Sequence, residues 1–302
     1  MGCEKKYLIA CLLLVTGCNL WPGRTTLHKQ DLHIATVDNN VCKRLYGDVV
    51  IYAVFVDSKV SGSWTTFDIT STIDSIQKAA DWIMNEARSR DIPLNIVVST
   101  HERAGVIPVR SELPRNGLFG TIGSLNPTGI IDRWSDKAGR QVLAAFPRDT
   151  AKVTLTKVQP KDSERLIARL RDIHGTDNIA LLYFINNYFN EDISVALHTG
   201  SSKHVEYAVV SFKRPAVIIH EFLHLFGALD LYMSPFDKRR EQRKRKAFAM
   251  QEFPMEIMAF PYRHLDSLTI SPVTSYLIGW DKRLDEKYAR MLTGKKIPLA
   301  KY

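Results

Sequence analysis

The chain has 302 residues, of which 45% are hydrophobic, with four cysteines and a formal net charge of +9. That length suits one large domain or two small ones. The apolar run Tyr7–Val15 is nine residues long, too short to cross a bilayer as a helix.

Lys5 and Lys6 precede that run, and Val15-Thr16-Gly17-Cys18 follows it, the order of an export signal. Small residues before a cysteine resemble the bacterial lipobox. The resemblance implies cleavage before Cys18 and a diacylglycerol on its thiol, and so a lipid-anchored protein of the bacterial cell envelope. An ordinary signal peptide with an incidental cysteine is the alternative. Met1-Gly2-Cys3 hints at myristoylation, but Lys6 stands where serine or threonine is expected. Residues 1–17 are then the signal peptide, 18–45 a polar tether without periodicity, and 46–302 the folded part, dividing near 227 into N-terminal and C-terminal subdomains. With Cys3 and Cys11 removed and Cys18 lipidated, Cys42 has no mate, and no internal disulfide is expected.

Further along, Asp48–Val56 reads as a strand. Ser71-Thr72-Ile73-Asp74 opens a helix, with Ile73, Ile76, Ala80, Ile83 and Ala87 at three- and four-residue steps. Ile92–Ser99 is the next strand. Residues 101–158, punctuated by Gly117, Gly120, Gly123, Pro127 and Gly129, read as loop-rich. Asp162 or Ser163 starts a helix that places Leu166, Ile167, Leu170 and Ile173 on one face and ends at Gly175. The continuous apolar run Ile179–Ile185 suits a strand buried on both faces. Ile193–His198 and Val205–Phe212 complete the strands.

Pro215 then sits at the first position of a helix carrying His220-Glu221-Phe222-Leu223-His224. Histidines four apart lie one turn above each other, so both imidazoles can reach one ion. Glu221 is about 100° further round, placed to hold a water without ligating. Gly227 allows the positive φ that ends a helix, and the returning chain delivers Asp230 as a third ligand. Three protein ligands plus water is the pattern of catalytic zinc. A buried helix whose histidines merely hydrogen-bond is the competing reading.

This motif resembles that of the metzincin metallopeptidases, H-E-x-x-H-x-x-G-x-x-H followed by a methionine-containing turn. Asp230 replaces the third histidine, as in snapalysin-like enzymes, and Gly227-Ala228-Leu229-Asp230-Leu231-Tyr232 is similar to immune inhibitor A-type peptidases. The resemblance covers roughly the C-terminal third. It implies an α+β fold: a twisted mixed sheet with an edge strand, packed on helices, then the active-site helix, a Met-turn and a C-terminal helix. It also implies one catalytic Zn2+ held by His220, His224 and Asp230, with Glu221 as general base in peptide-bond hydrolysis of a protein or peptide substrate. Met258 is the expected Met-turn residue, with Met255 the fallback. Phe260 occupies the position where some relatives carry a metal-touching tyrosine, so no tyrosine ligand is expected. Residues 259–270 are expected to wall a side-chain pocket, and Ser271-Pro272 to cap a short helix closed by Gly279-Trp280. Some metzincin zymogens cap the zinc with a thiol, but the residues around Cys42 do not match that switch, so a plain thiol is expected there.

Asp237–Lys246 carries seven positive against two negative residues. It reads as a solvated insertion, with contact to anionic lipid through 238–246 as a second reading. No nucleic acid is expected, since no recognised motif or aromatic interleaving accompanies the run. The sequence is silent on oligomeric state. Two other classes stay open: a catalytically silent surface binding protein or adhesin that keeps the zinc fold, and a metallohydrolase acting on a non-peptide bond or using Glu241, Glu252 or Glu256 as third ligand.

Overall fold

Two strands built almost wholly of apolar residues, β1 (Gly47–Asp57) and β4 (Ile179–Ile185), lie side by side at the centre of a sheet. The computed structural model describes residues 44–57, 62–101, 109–110, 128–146, 161–186, 194–199, 204–233 and 240–293. Strand alternation divides β1 between two cores. Val49, Ile51, Ala53 and Phe55 face one, and Val50, Tyr52, Val54 and Val56 face the other. A strand covered on both sides has no polar face to show, hence its unbroken apolar sequence.

With β2 (Leu94–Thr100), β5 (Val195–Leu197) and β6 (Tyr207–Val210), the sheet order is β2-β1-β4-β6-β5. β1, β2, β4 and β6 run parallel, whereas β5 pairs antiparallel with β6 at the edge. The two-residue β3 (Val109–Arg110) pairs with the end of β1. The fold is thus α+β, with a mixed sheet between layers of helices.

The first crossover is α1 (Thr66–Arg88). It starts five residues before the position expected from the sequence, because Thr65 and Asp68 form a reciprocal capping box. Ser71 and Thr72, expected to open the helix, lie inside it, their hydroxyls bonded back to the Asp68 carbonyl. On the opposite face lie α2 (Thr128–Ala145) and α3 (Asp162–His174). The first of these corrects the loop-rich reading of 101–158: Ile131, Trp134, Ala138 and Val142 recur at helical spacing and are all buried. As expected, Gly175 ends α3 in the left-handed conformation.

α4 (Pro215–Leu225) packs on the same face as α1. Nearly every residue from Ala216 to Leu225 is buried, so His220 and Glu221 are polar groups held within an apolar surround. Burying Phe222 alone contributes roughly 1.5–3 kcal/mol to keeping this helix in place. After α4 come α5 (Arg240–Glu252), a 3-10 turn at Leu265–Ser267, α6 (Pro272–Leu277) and α7 (Glu286–Thr293). Ser271 caps α6 by accepting from the Thr274 N–H, and Gly279 follows it with φ of 78°. Leu45 is fully buried and joins this C-terminal part: its N–H donates to Ile278 O, and its carbonyl accepts from the Trp280 indole.

The signal segment, Cys18, the tether to residue 43 and Cys42 lie outside the described residues. Among the described residues, no helix is long and apolar enough to cross a membrane.

Candidate metal centre

The end of α4 is a Schellman motif. The Ala228 N–H donates to Leu223 O and the Gly227 N–H to His224 O, with Gly227 at φ of 97°. A Cβ on Gly227 would lie 3.3 Å from Leu277 O, so both backbone geometry and space select glycine. Gly227→Ala is therefore expected to cost about 1–3 kcal/mol, read by chemical denaturation, and to weaken metal binding by displacing Asp230.

That turn also orients His224. His224 Nδ1 donates to Ala228 O at 2.8 Å, while His220 Nδ1 donates to Ile257 O at 3.2 Å. Both Nε2 atoms are thereby left to face the same point, the usual way that outer hydrogen bonds fix metal-binding histidines. His220 Nε2 and His224 Nε2 are 3.1 Å apart, and Asp230 Oδ1 is 3.2 and 3.1 Å from them. Neighbouring ligands around a tetrahedral zinc ion are separated by about 3.3 Å, given bonds of roughly 2.0–2.1 Å. Two imidazole nitrogens and a carboxylate oxygen at these spacings form a group that could hold a metal ion, the one such group among the described residues.

Electrostatics agree with the geometry. Burial lowers the pKa of His220. Burial also pulls down on His224, but the Asp230 hydrogen bond and the charges of Glu221 and Asp230 outweigh it and raise its pKa to about 9. For Asp230, burial pushes the carboxyl up, yet the two imidazoles hold it well below the usual carboxylate range. The pair of histidines thus shares about one proton at neutral pH, donated towards Asp230. Glu221 is buried beside this group, close enough for its charge to act on both His224 and Tyr232.

Met258, the residue expected in a methionine turn, lies against this group. Ile257 O receives His220, and the Leu231 N–H, next to Asp230, donates to Met258 O at 2.9 Å. Met258 itself is fully buried, whereas Met255 is 37% exposed. Glu256 organises this turn. Its carboxylate accepts from the Met258 N–H, the Ser271 N–H and the Thr274 hydroxyl, although burial pushes its pKa up. This buried acceptor set shows why Glu256 is not a third ligand. Glu256→Gln would present an NH2 to one N–H donor, so a loss of about 1–3 kcal/mol in unfolding free energy is expected. Glu252 is engaged by Lys287 and Tyr288, and the side chain of Glu241 lies outside the described residues.

Two features were not anticipated from the sequence. Tyr232 stands beside Asp230, and its ring lies 6.1 Å from that of His220. Burial, then the charges of Asp230 and Glu221, push its hydroxyl pKa up. Its position two residues beyond Asp230 was the available signal. Second, the basic run is helical from Arg240 onward, and Gln242, Arg245 and Lys246 line a cavity of about 290 Å3 together with Asp230. It is not a detached insertion. Residues 262–266 of the expected pocket wall face α1 and the start of α4 across a second cavity of about 810 Å3.

Comparisons with family models, curated proteins and solved structures found no match for this chain.

Proposed function

We propose that the chain is a zinc-dependent endopeptidase of metzincin-like architecture, with His220, His224 and Asp230 as ligands. The observation that carries this reading is the near-equilateral triangle of two Nε2 atoms and one Oδ1, with Glu221 on the next helical position. The mixed sheet with an antiparallel edge strand, the helix carrying the histidines and the methionine turn beneath them support it further.

When bound, zinc would polarise a scissile carbonyl and acidify an attacking water. Glu221 would serve as the general base, its carboxylate accepting a proton from the attacking water and passing it to the leaving amine. Its burial keeps it in reach and limits competing solvent. The backbone carbonyls of Ala228 and Ile257 hold the imidazoles in place. Antiparallel strand addition along β5 is the route by which an extended peptide would enter. A general base beside the ligands favours this reading over a silent binding protein, which has no use for one.

Metal analysis of the purified chain is expected to give about one zinc per chain, and chelation should abolish hydrolysis of an unfolded protein substrate. Absence of bound metal, or iron in place of zinc, would overturn the reading. The lipid anchor at Cys18 is a separate proposal, tested by palmitate labelling of wild type against Cys18→Ala.

A further inference from the structure

We infer that the basic face of α5 selects substrates, binding a carboxylate side chain of the peptide next to the bond being cut. The inference rests on the endopeptidase reading and names the substrate class of the same site. Gln242, Arg245 and Lys246 stand at helical positions i, i+3 and i+4, so they share one face. That face lines the 290 Å3 cavity whose other wall includes Asp230, the ligand whose Oδ1 touches both histidines. The Lys246 ammonium lies 5.7 Å from the Tyr232 ring centroid, and Tyr232 in turn lies 6.1 Å from the His220 ring. A group seated there is therefore a side chain's reach from the metal.

The chemistry of the lining points to an anion. Arg245 Nη1 is anchored on the carbonyls of Met291 and Leu292, which fixes its positive charge beside the cavity that Lys246 also lines. The single negative charge of the lining, Asp230, would be offset by a divalent ion. Gln242 adds a neutral donor. At about 290 Å3 the cavity is large enough for one carboxylate side chain. A flat membrane contact would use the outward residues instead, of which Arg243 is exposed.

The test uses the zinc-loaded full chain carrying Glu221→Ala, which binds without turnover. Fluorescent peptides identical except for Glu, Gln or Lys scanned through successive positions are titrated by anisotropy. At one position the Glu peptide is expected to bind about tenfold more tightly than the Gln peptide, the size of one charge-assisted hydrogen bond. Adding Lys246→Glu should reverse the order in favour of Lys, and Lys246→Arg should preserve it, with zinc content checked in each variant. Equal binding of Glu and Gln peptides everywhere, absence of peptide binding, or an order unaltered by Lys246→Glu would overturn the inference. Loss of binding to phosphatidylglycerol vesicles in Lys246→Glu with peptide preference intact would overturn it too, in favour of a membrane contact. Whether wild type cuts the peptides it binds is measured separately and bears on the endopeptidase reading alone.

Discussion

Glu221→Gln is expected to retain about one metal ion per chain while hydrolysis falls by roughly 10²–10⁴-fold. The substitution is nearly isosteric, so the apolar packing around this 5%-exposed side chain is preserved. What disappears is a carboxylate able to accept a proton. The ligand atoms are untouched, because His220 and His224 are oriented by Ile257 O and Ala228 O, not by Glu221. Removing its charge also takes away one influence that raises His224 towards pKa 9, so proton competition at the ligand nitrogens decreases. The same charge also attracts the cation, so the two effects oppose each other and metal affinity should change little. Full activity in this variant would remove Glu221 from the mechanism, and loss of metal would make its role structural.

What the sequence revealed about this site followed from local geometry. Histidines four apart on a helix must share a face, and Gly227 must turn the chain, so His220, His224 and Asp230 could be brought together without knowing the sheet. The central strands were equally plain, because a strand buried on both faces carries an unbroken apolar sequence, as β4 does. Elements whose meaning depends on distant partners were not. Glu256 looked like a spare carboxylate until Ser271 and Thr274, fifteen and eighteen residues on, closed around it. The helix α2 was hidden by the glycines and Pro127 before it, although Ile131, Trp134, Ala138 and Val142 carried its period. In the basic run, charge density suggested solvation, but Arg, Lys and Gln are good helix formers and gave the run a face towards Asp230.

Asp230→Ala is expected to weaken zinc binding by on the order of 10²–10³-fold, about the share of one ligand in the roughly 10–16 kcal/mol of a four-ligand zinc site. A second signature separates loss of a ligand from general disruption. In the metal-free wild type, His224 is protonated up to a pKa of about 9, held there against burial by Asp230 and Glu221. A metal ion must displace that proton. The sign follows: a raised pKa means that the free site binds the proton more strongly, so zinc affinity falls as pH falls. Between the ordinary histidine pKa of about 6.5 and pH 9, affinity should rise about tenfold per pH unit, with close to one proton released per ion. Removing Asp230 deletes the hydrogen bond and a charge that sustain the raised value, so His224 falls back towards or below its ordinary range. The variant should then bind zinc weakly at every pH, with a flatter dependence and less proton release near neutrality. Calorimetric titration in buffers of different ionisation enthalpy measures both quantities at once. Unchanged affinity together with unchanged proton release would mean that Asp230 does not complete the site.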